Sequence, residues 1–363
     1  MAIKHLEEYR DPQIAQKIVA RINTLSQRPI RLMEVCGTHT MSIFKSGIRT
    51  LLPDTITLLS GPGCPVCVTA QHEIDAFIAL SRLNDVIVAT FGDLIKVPGT
   101  DSSLQKEQAN ARDIRIVYST FDALDIAAKN PGKQVVFLGV GFETTAPTIA
   151  ASILSANEMN LKNYSVFCAH KLVPPALEAL MQTRDVKIDG FILPGHVSVI
   201  IGTDAYRPFF ERYQAPCVIA GFEPADILQA IFLLAEQIET QNPKLTNSYQ
   251  RAVTMEGNLK AQKIMADVFE TVDVNWRGIG TIPASGLKIR KEFNAFDAQK
   301  RFAITVSGSE KPKGCVCGEI LTGLKIPTDC PLYKKTCTPM HPVGPCMVSS
   351  EGTCAAYYRY HDS

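Results

Sequence analysis

The sequence predicts an α/β protein: two small parallel-sheet domains followed by a third, mainly helical or irregular domain that carries most of its cysteines. Three observations lead there. From about Pro29 to Gly221, short apolar runs ending in Gly or a polar turn alternate with helical patterns, and near-continuous apolar strands of this kind belong to parallel sheets covered on both faces. A length of 363 residues suits two or three domains. Six of the eleven cysteines crowd into the last 49 residues, where strand signals are weak.

The elements follow in order. The N-terminal stretch MAIKHLEEYRDPQIAQKIVARI is charged and amphipathic, which predicts a helix able to pack on the third domain and gives no signal-peptide core. Strands are expected at 30–35, 56–59, 86–89, 114–117, 135–138, 165–167, 191–193 and 217–220. Eight strands can close one barrel, but their uneven spacing favours two sheets. We expect residues 1–120 to form the first α/β domain and 121–223 the second. Residues 224–363 would be the C-terminal domain, opening on the helix ADILQAIFLLAEQIE.

Composition excludes several classes. A net charge of +1 gives no electrostatic reason to bind nucleic acid, and no apolar run approaches the roughly 18 residues of a membrane span. A cytoplasmic protein is expected. In that reducing setting clustered cysteines point to metal binding or thiol redox chemistry, and an odd total rules out a fully paired disulfide scaffold.

In open parallel sheets ligands collect at the carboxyl ends of the strands. Six unusual stretches fall there: Cys36-Gly-Thr-His-Thr40, Gly61-Pro-Gly-Cys-Pro-Val-Cys67, Phe91-Gly-Asp93, Gly139-Val-Gly-Phe-Glu-Thr-Thr145, Ala169-His-Lys171 and Pro194-Gly-His196. Cys36 follows a strand and precedes a glycine, so it is placed to open a helix, whose N-terminus lowers a thiol pKa into a range of roughly 3.5–7.5. His39 lies in the same loop as a candidate proton acceptor. A buried, inert cysteine is the plain alternative.

Cys64 and Cys67 form a Cys-x-x-Cys in which Pro65 suits the first turn of a helix. A structural zinc site recruits a second close pair, and none lies nearby. That favours a redox-active or metal-holding dithiol over a zinc knuckle. In the tail, Cys315, Cys317, Cys330, Cys337, Cys346 and Cys354 offer six thiols for the four places of a cubane cluster or a zinc site. Separated single cysteines followed by Pro or Gly, as in Cys330-Pro331 and Cys317-Gly318, favour iron–sulfur. Cys315 and Cys317 compete for one place, and Cys346 is set aside as a non-ligand.

Other signals are weaker. Gly139-x-Gly141 lacks the third glycine of a dinucleotide turn, since Thr144 stands there, and no P-loop lysine follows. A packing turn is the better reading than a nucleotide cradle. Glu143 is a functional candidate, because a carboxylate after a strand and two glycines is rarely needed for packing. His170, His196, Cys168, Cys217 and Trp276 read as structural.

CGTHT at 36–40, GPGCPVC at 61–67, GFETTAPT at 141–148, PGH at 194–196 and CPLYKKTCTPMHPVGPCMVSSEGTCAAYY at 330–358 together resemble the HypD family of hydrogenase formation proteins over essentially the whole chain. The resemblance implies a scaffold, formed with the small chaperone HypC, that assembles the Fe(CN)2CO unit of [NiFe]-hydrogenases. Cyanide would come from HypE, with HypF upstream. It implies Cys36 as the thiolate that holds the iron, Cys64 and Cys67 as the redox pair with His39 nearby, and Glu351 as a functional residue near the cluster. Cys330, Cys337 and Cys354, with Cys315 or Cys317, would ligate a [4Fe-4S] cluster. Such a protein is a redox-active assembly scaffold rather than a conventional turnover enzyme. The competing expectation is a thiol–disulfide oxidoreductase resembling ferredoxin:thioredoxin reductase that acts on a protein partner.

Overall fold

Every predicted apolar run is a strand in the computed structural model, which describes residues 8–183, 185–306, 308 and 312–361. The strands are β1 (Ile30–Glu34), β2 (Ile56–Ser60), β3 (Val86–Thr90), β4 (Ile114–Ile116), β5 (Gln134–Gly139), β6 (Tyr164–Cys168), β7 (Gly190–Pro194) and β8 (Cys217–Ala220). Three more follow: a short β9 (Leu245–Asn247), then β10 (Phe269–Trp276) and β11 (Gly280–Ile289). β3, β5 through Val135–Leu138, β6, β7 and β8 are buried along their length. That is the burial expected of strands covered on both faces.

Two parallel sheets result. The first has the order β2-β1-β7-β8-β9 and the second β4-β3-β5-β6, while β10 and β11 form an antiparallel pair with an irregularity between Val272 and Val274. The two-sheet expectation holds in preference to a barrel. The contiguous division at 120 and 223 does not match the pairing. The chain leaves the first sheet after β2, builds the whole of the second from residues 86–168, and returns at β7, which pairs with β1. β9 then extends the first sheet beyond residue 223. Local strand patterns carry no record of such a return, because the pairing partner of a parallel strand is set by packing far along the chain.

The helix Pro12–Leu25 opens with Asp11 accepting the Gln13 N–H at 2.8 Å and Pro12 at the first turn. It packs on the helix Pro224–Glu239, which lies over β7 and β8 and so covers the first sheet. The tail folds into short pieces, among them Cys317–Leu321 and Thr353–Tyr360. Tyr357 meets Phe44 edge-on at 4.8 Å, and Cys330, Cys337, Cys346 and Cys354 share one buried cluster with Cys64 and Cys67. No helix among the described residues is long and apolar enough to cross a membrane.

Register aligns the strand ends that matter. Glu34 of β1 sits opposite Ser60 of β2 and Ile192 of β7, and Pro194 of β7 opposite Ala220 of β8. Hence the loops after β1, β2, β7 and β8 emerge on one edge. Gly139 of β5 lies opposite Cys168 of β6, so the 139–145 turn and residues 169–171 share an edge of the second sheet.

Candidate functional site

A cleft of 430 Å³ lies where these edges meet. Its wall takes Cys36 and Thr38 from the loop after β1, Gly63 and Pro65 after β2, Phe142, Thr144 and Thr145 after β5, His196 after β7, and Glu351 from the tail. Five of the quoted motifs converge on this space.

Cys36 is the N-cap residue of the helix Gly37–Lys45 and is buried. The Thr38 and His39 backbone N–H groups of the helix N-terminus favour the thiolate, although neither makes a capping hydrogen bond to the sulfur. Burial outweighs them and, with the Glu351 charge adding to it, pushes the Cys36 thiol up to about 11. The low thiol pKa expected from the helix N-terminus is thus corrected: in the absence of a cation the apolar surround favours the protonated sulfur. Backbone packing around Cys36 is tight. The Gly37 N–H donates to the Gly63 carbonyl at 2.9 Å. A Cβ at Gly63 would lie 2.2 Å from the Cys36 nitrogen, and one at Gly37 would lie 2.6 Å from Glu351 Cβ.

His39 contributes to Cys36 through its backbone rather than its ring. Nε2 donates to the Gly221 carbonyl at 2.9 Å, and the ring stacks on Phe222 at 4.7 Å. His196 stacks on Phe222 as well, at 3.9 Å. Burial holds the His39 imidazole down to about 4, so it is neutral at ordinary pH. Glu351, half-buried in the wall of the cleft, accepts from the Thr38 hydroxyl, and burial raises its carboxyl above the usual range.

Cys64 caps the short helix Pro65–Val68, accepting the Cys67 N–H at its sulfur at 3.3 Å, as Pro65 at the first turn anticipated. Both thiols are buried. Cys67 contacts Cys64 on one side and Cys346 on the other, and Cys346 in turn contacts Cys317, which contacts Cys315. Cys315, Cys317, Cys330, Cys337, Cys346 and Cys354 together wall a small enclosed cavity with Ile320, Leu332 and Met347. Gly344 packs closely there, where a Cβ would lie 2.9 Å from the Cys315 sulfur. Among the described residues no three Cys, His, Asp or Glu side chains converge tightly enough to hold a single metal ion. The thiols form a wider cage whose soft donors and apolar lining suit a multi-atom sulfur-bound group.

Sequence reasoning set Cys346 aside, yet its sulfur stands between Cys67 and Cys317. Only its position in the same short tail as the other cysteines hinted at this. Glu34, fully buried at the end of β1, was also missed; it accepts from Ser60 at 2.6 Å and from Thr40. Glu143 has a packing reason after all. Its carboxylate accepts the Val173 N–H at 2.9 Å at the start of the helix Val173–Met181. Trp276 is fully buried and donates to Ser285 at 2.9 Å, while Cys168, His170 and Cys217 lie buried in the sheets and loops.

The comparisons with known proteins point one way. The family model described as HypD, hydrogenase formation hypA family, matches residues 13–361. The hydrogenase maturation factor HypD of Azotobacter vinelandii is 45% identical over 367 residues, covering 99% of this chain and 97% of that protein. Its namesake in Cupriavidus necator is 44% identical over 368 residues, with the same coverage of 99% and 97%. That of Rhodobacter capsulatus is 43% identical, covering 99% and 98%.

Proposed function

Since the chain belongs to the HypD family, whose members named above are hydrogenase maturation factors, we propose that it is the scaffold on which, together with HypC, the Fe(CN)2CO unit of [NiFe]-hydrogenases is assembled. Cyanide would be delivered by HypE, with HypF upstream. The observation that carries this reading is a single buried thiol, Cys36, in a cleft walled by five loops, its backbone packed on Gly63 next to Cys64, from which Cys67, Cys346 and Cys317 run to a cage of cysteines.

The iron is cargo. One protein thiolate leaves its other positions for cyanide, carbon monoxide and a partner's sulfur, and a soft donor suits low-spin iron. Cys36 must release its proton when iron binds. The Thr38 and His39 N–H groups at the helix N-terminus would then favour the sulfur left behind, and Glu351, in the same cleft, would take the proton. Val35, Val197 and Phe142 in the wall restrict water at the bound cargo.

Cys330, Cys337 and Cys354, with Cys315 or Cys317, would hold a [4Fe-4S] cluster, which supplies one-electron chemistry when bound. Cys64 and Cys67 supply a two-electron dithiol, and Cys346 and Cys317 place sulfur between the two. The oxidoreductase reading draws on the same thiols. Burial of Cys64 and Cys67 favours the scaffold, because a protein disulfide has no direct approach to either.

The test is infrared spectroscopy and metal analysis of the protein co-purified with HypC. Cyanide and carbonyl bands that vanish in Cys36→Ala, while the cluster absorbance stays, are expected. Bands of full intensity in Cys36→Ala would overturn the assignment.

A further inference from the structure

Arg277, in the turn between β10 and β11, is buried to 6% exposure. Its backbone N–H donates to the Val68 carbonyl at 2.8 Å, Nε to the Thr69 carbonyl at 2.8 Å, and Nη1 to Gln71 Oε1 at 2.6 Å. The guanidinium is therefore clamped to the end of the Pro65–Val68 helix that carries Cys67. Nη2 is buried without a hydrogen-bond partner, and among the described residues no carboxylate pairs with the group. The next residue, Gly278, holds φ +80° and packs directly on Gly318, where a Cβ would come within 2.2 Å of the Gly318 Cα. So the turn seats against the residue that follows Cys317.

A buried cation without a counter-charge costs several kcal/mol or more. The hydrogen-bond acceptors named above, two backbone carbonyls and the Gln71 amide, are neutral. Gly318 follows Cys317 directly, and the Arg277 charge acts on the sulfurs of Cys315 and Cys317. Neutral thiols do not balance a guanidinium. A thiolate-ligated iron–sulfur group, with net negative charge, does.

We propose that Arg277 is a positioning residue of the sulfur cage, its fixed charge and spare Nη2 N–H stabilising the more negative, one-electron-reduced state of the iron–sulfur group and so setting its potential. The inference rests on the cluster reading above. The electron balance is simple: an external donor such as dithionite gives one electron, the cage gains one negative charge, and no proton need move.

The experiment is an anaerobic redox titration of the purified full chain with dithionite, followed by electron paramagnetic resonance, beside iron and sulfide analysis. Wild type and Arg277→Gln should both carry four irons. The Gln variant should be harder to reduce by about tenfold in equilibrium constant, or about 59 mV lower for a one-electron couple. An iron-loaded Arg277→Gln with the wild-type midpoint overturns the proposal. Should Arg277→Gln fold without iron, or fail to fold, Arg277→Lys decides. It keeps the charge but loses the fork, so iron loading with a midpoint at or slightly below wild type and above that of any loaded neutral variant supports the role. No iron in folded Arg277→Lys overturns it in favour of shape alone, as does iron loading in Arg277→Met with an unchanged midpoint. A wild-type protein without a cluster would instead reject the cofactor assignment, a separate failure.

Discussion

A methyl group at position 63 would stand 2.2 Å from the Cys36 nitrogen and 2.4 Å from its Cα. Backbone cannot yield as a flexible side chain does, so Gly63→Ala should lower unfolding free energy by at least about 1–3 kcal/mol. Denaturant unfolding checks this, and wild-type stability in the variant would refute the contact. The thiols give a second prediction at this scale. Burial pushes Cys36 up to about 11 and Cys168 up to about 12, whereas an exposed thiol ionises near about 8.5. The folded protein keeps these protons as pH rises, while the unfolded chain loses them first. Stability from these groups is therefore complete below about pH 8.5 and is lost as pH climbs through 11 to 12. Melting temperatures of reduced, metal-free protein should fall between pH 8 and pH 10; a flat or rising profile would contradict the burial.

Among the elements, the four-residue helix Pro65–Val68 joins the most chemistry to the least chain. Alone it would not persist, since isolated helices below about 12–15 residues are marginal in water. It is held by Arg277 at one end and by the Gly37–Gly63 contact near the other. On the proposed cluster reading, with Cys346 between Cys67 and Cys317, Cys346→Ser should leave iron content intact yet halt electron passage to the dithiol. The measurement is thiol counting at Cys64 and Cys67 after oxidation and then reduction of the cluster. Two recovered thiols in Cys346→Ser would sink that link. The strands were legible because β-branched and aliphatic runs between turn residues mark buried parallel strands. β9, β10 and β11 were not, for Leu-Thr-Asn carries no apolar run and the hairpin β10–β11 mixes buried and exposed residues instead of running apolar. The third region therefore holds more strand than the mainly helical or irregular domain expected.

Across the whole molecule, Lys171 after β6 reaches Glu73 in the helix Gln71–Ser81 at 2.7 Å, with the lysine fully buried. Glu73 also accepts the Ala70 N–H at 2.8 Å, just after the Cys-x-x-Cys helix. This pair ties the edge of the second sheet to the dithiol segment. Lys171→Met strands a buried carboxylate and should cost about 3–5 kcal/mol, whereas the double change Lys171→Met with Glu73→Leu should recover much of it. Equal losses in both variants would show that the charges are not what matters.

The sequence by itself determined the eight parallel strands from β1 to β8, the Cys-x-x-Cys helix cap, and the gathering of polar motifs at strand ends, because each follows from local periodicity, turn chemistry and the direction of parallel strands. It also placed Cys36 at a helix N-terminus, where the fold puts it. Only the tertiary structure decided that β7 returns to β1, that the tail buries its cysteines against Cys67, and that Cys346 stands between Cys67 and Cys317. It likewise turned Cys36 into a protonated thiol, made Glu143 a backbone acceptor, and set Arg277 beside the cage. Those outcomes rest on desolvation and on contacts between segments from about 30 to more than 200 residues apart, and neither quantity exists until the chain has packed.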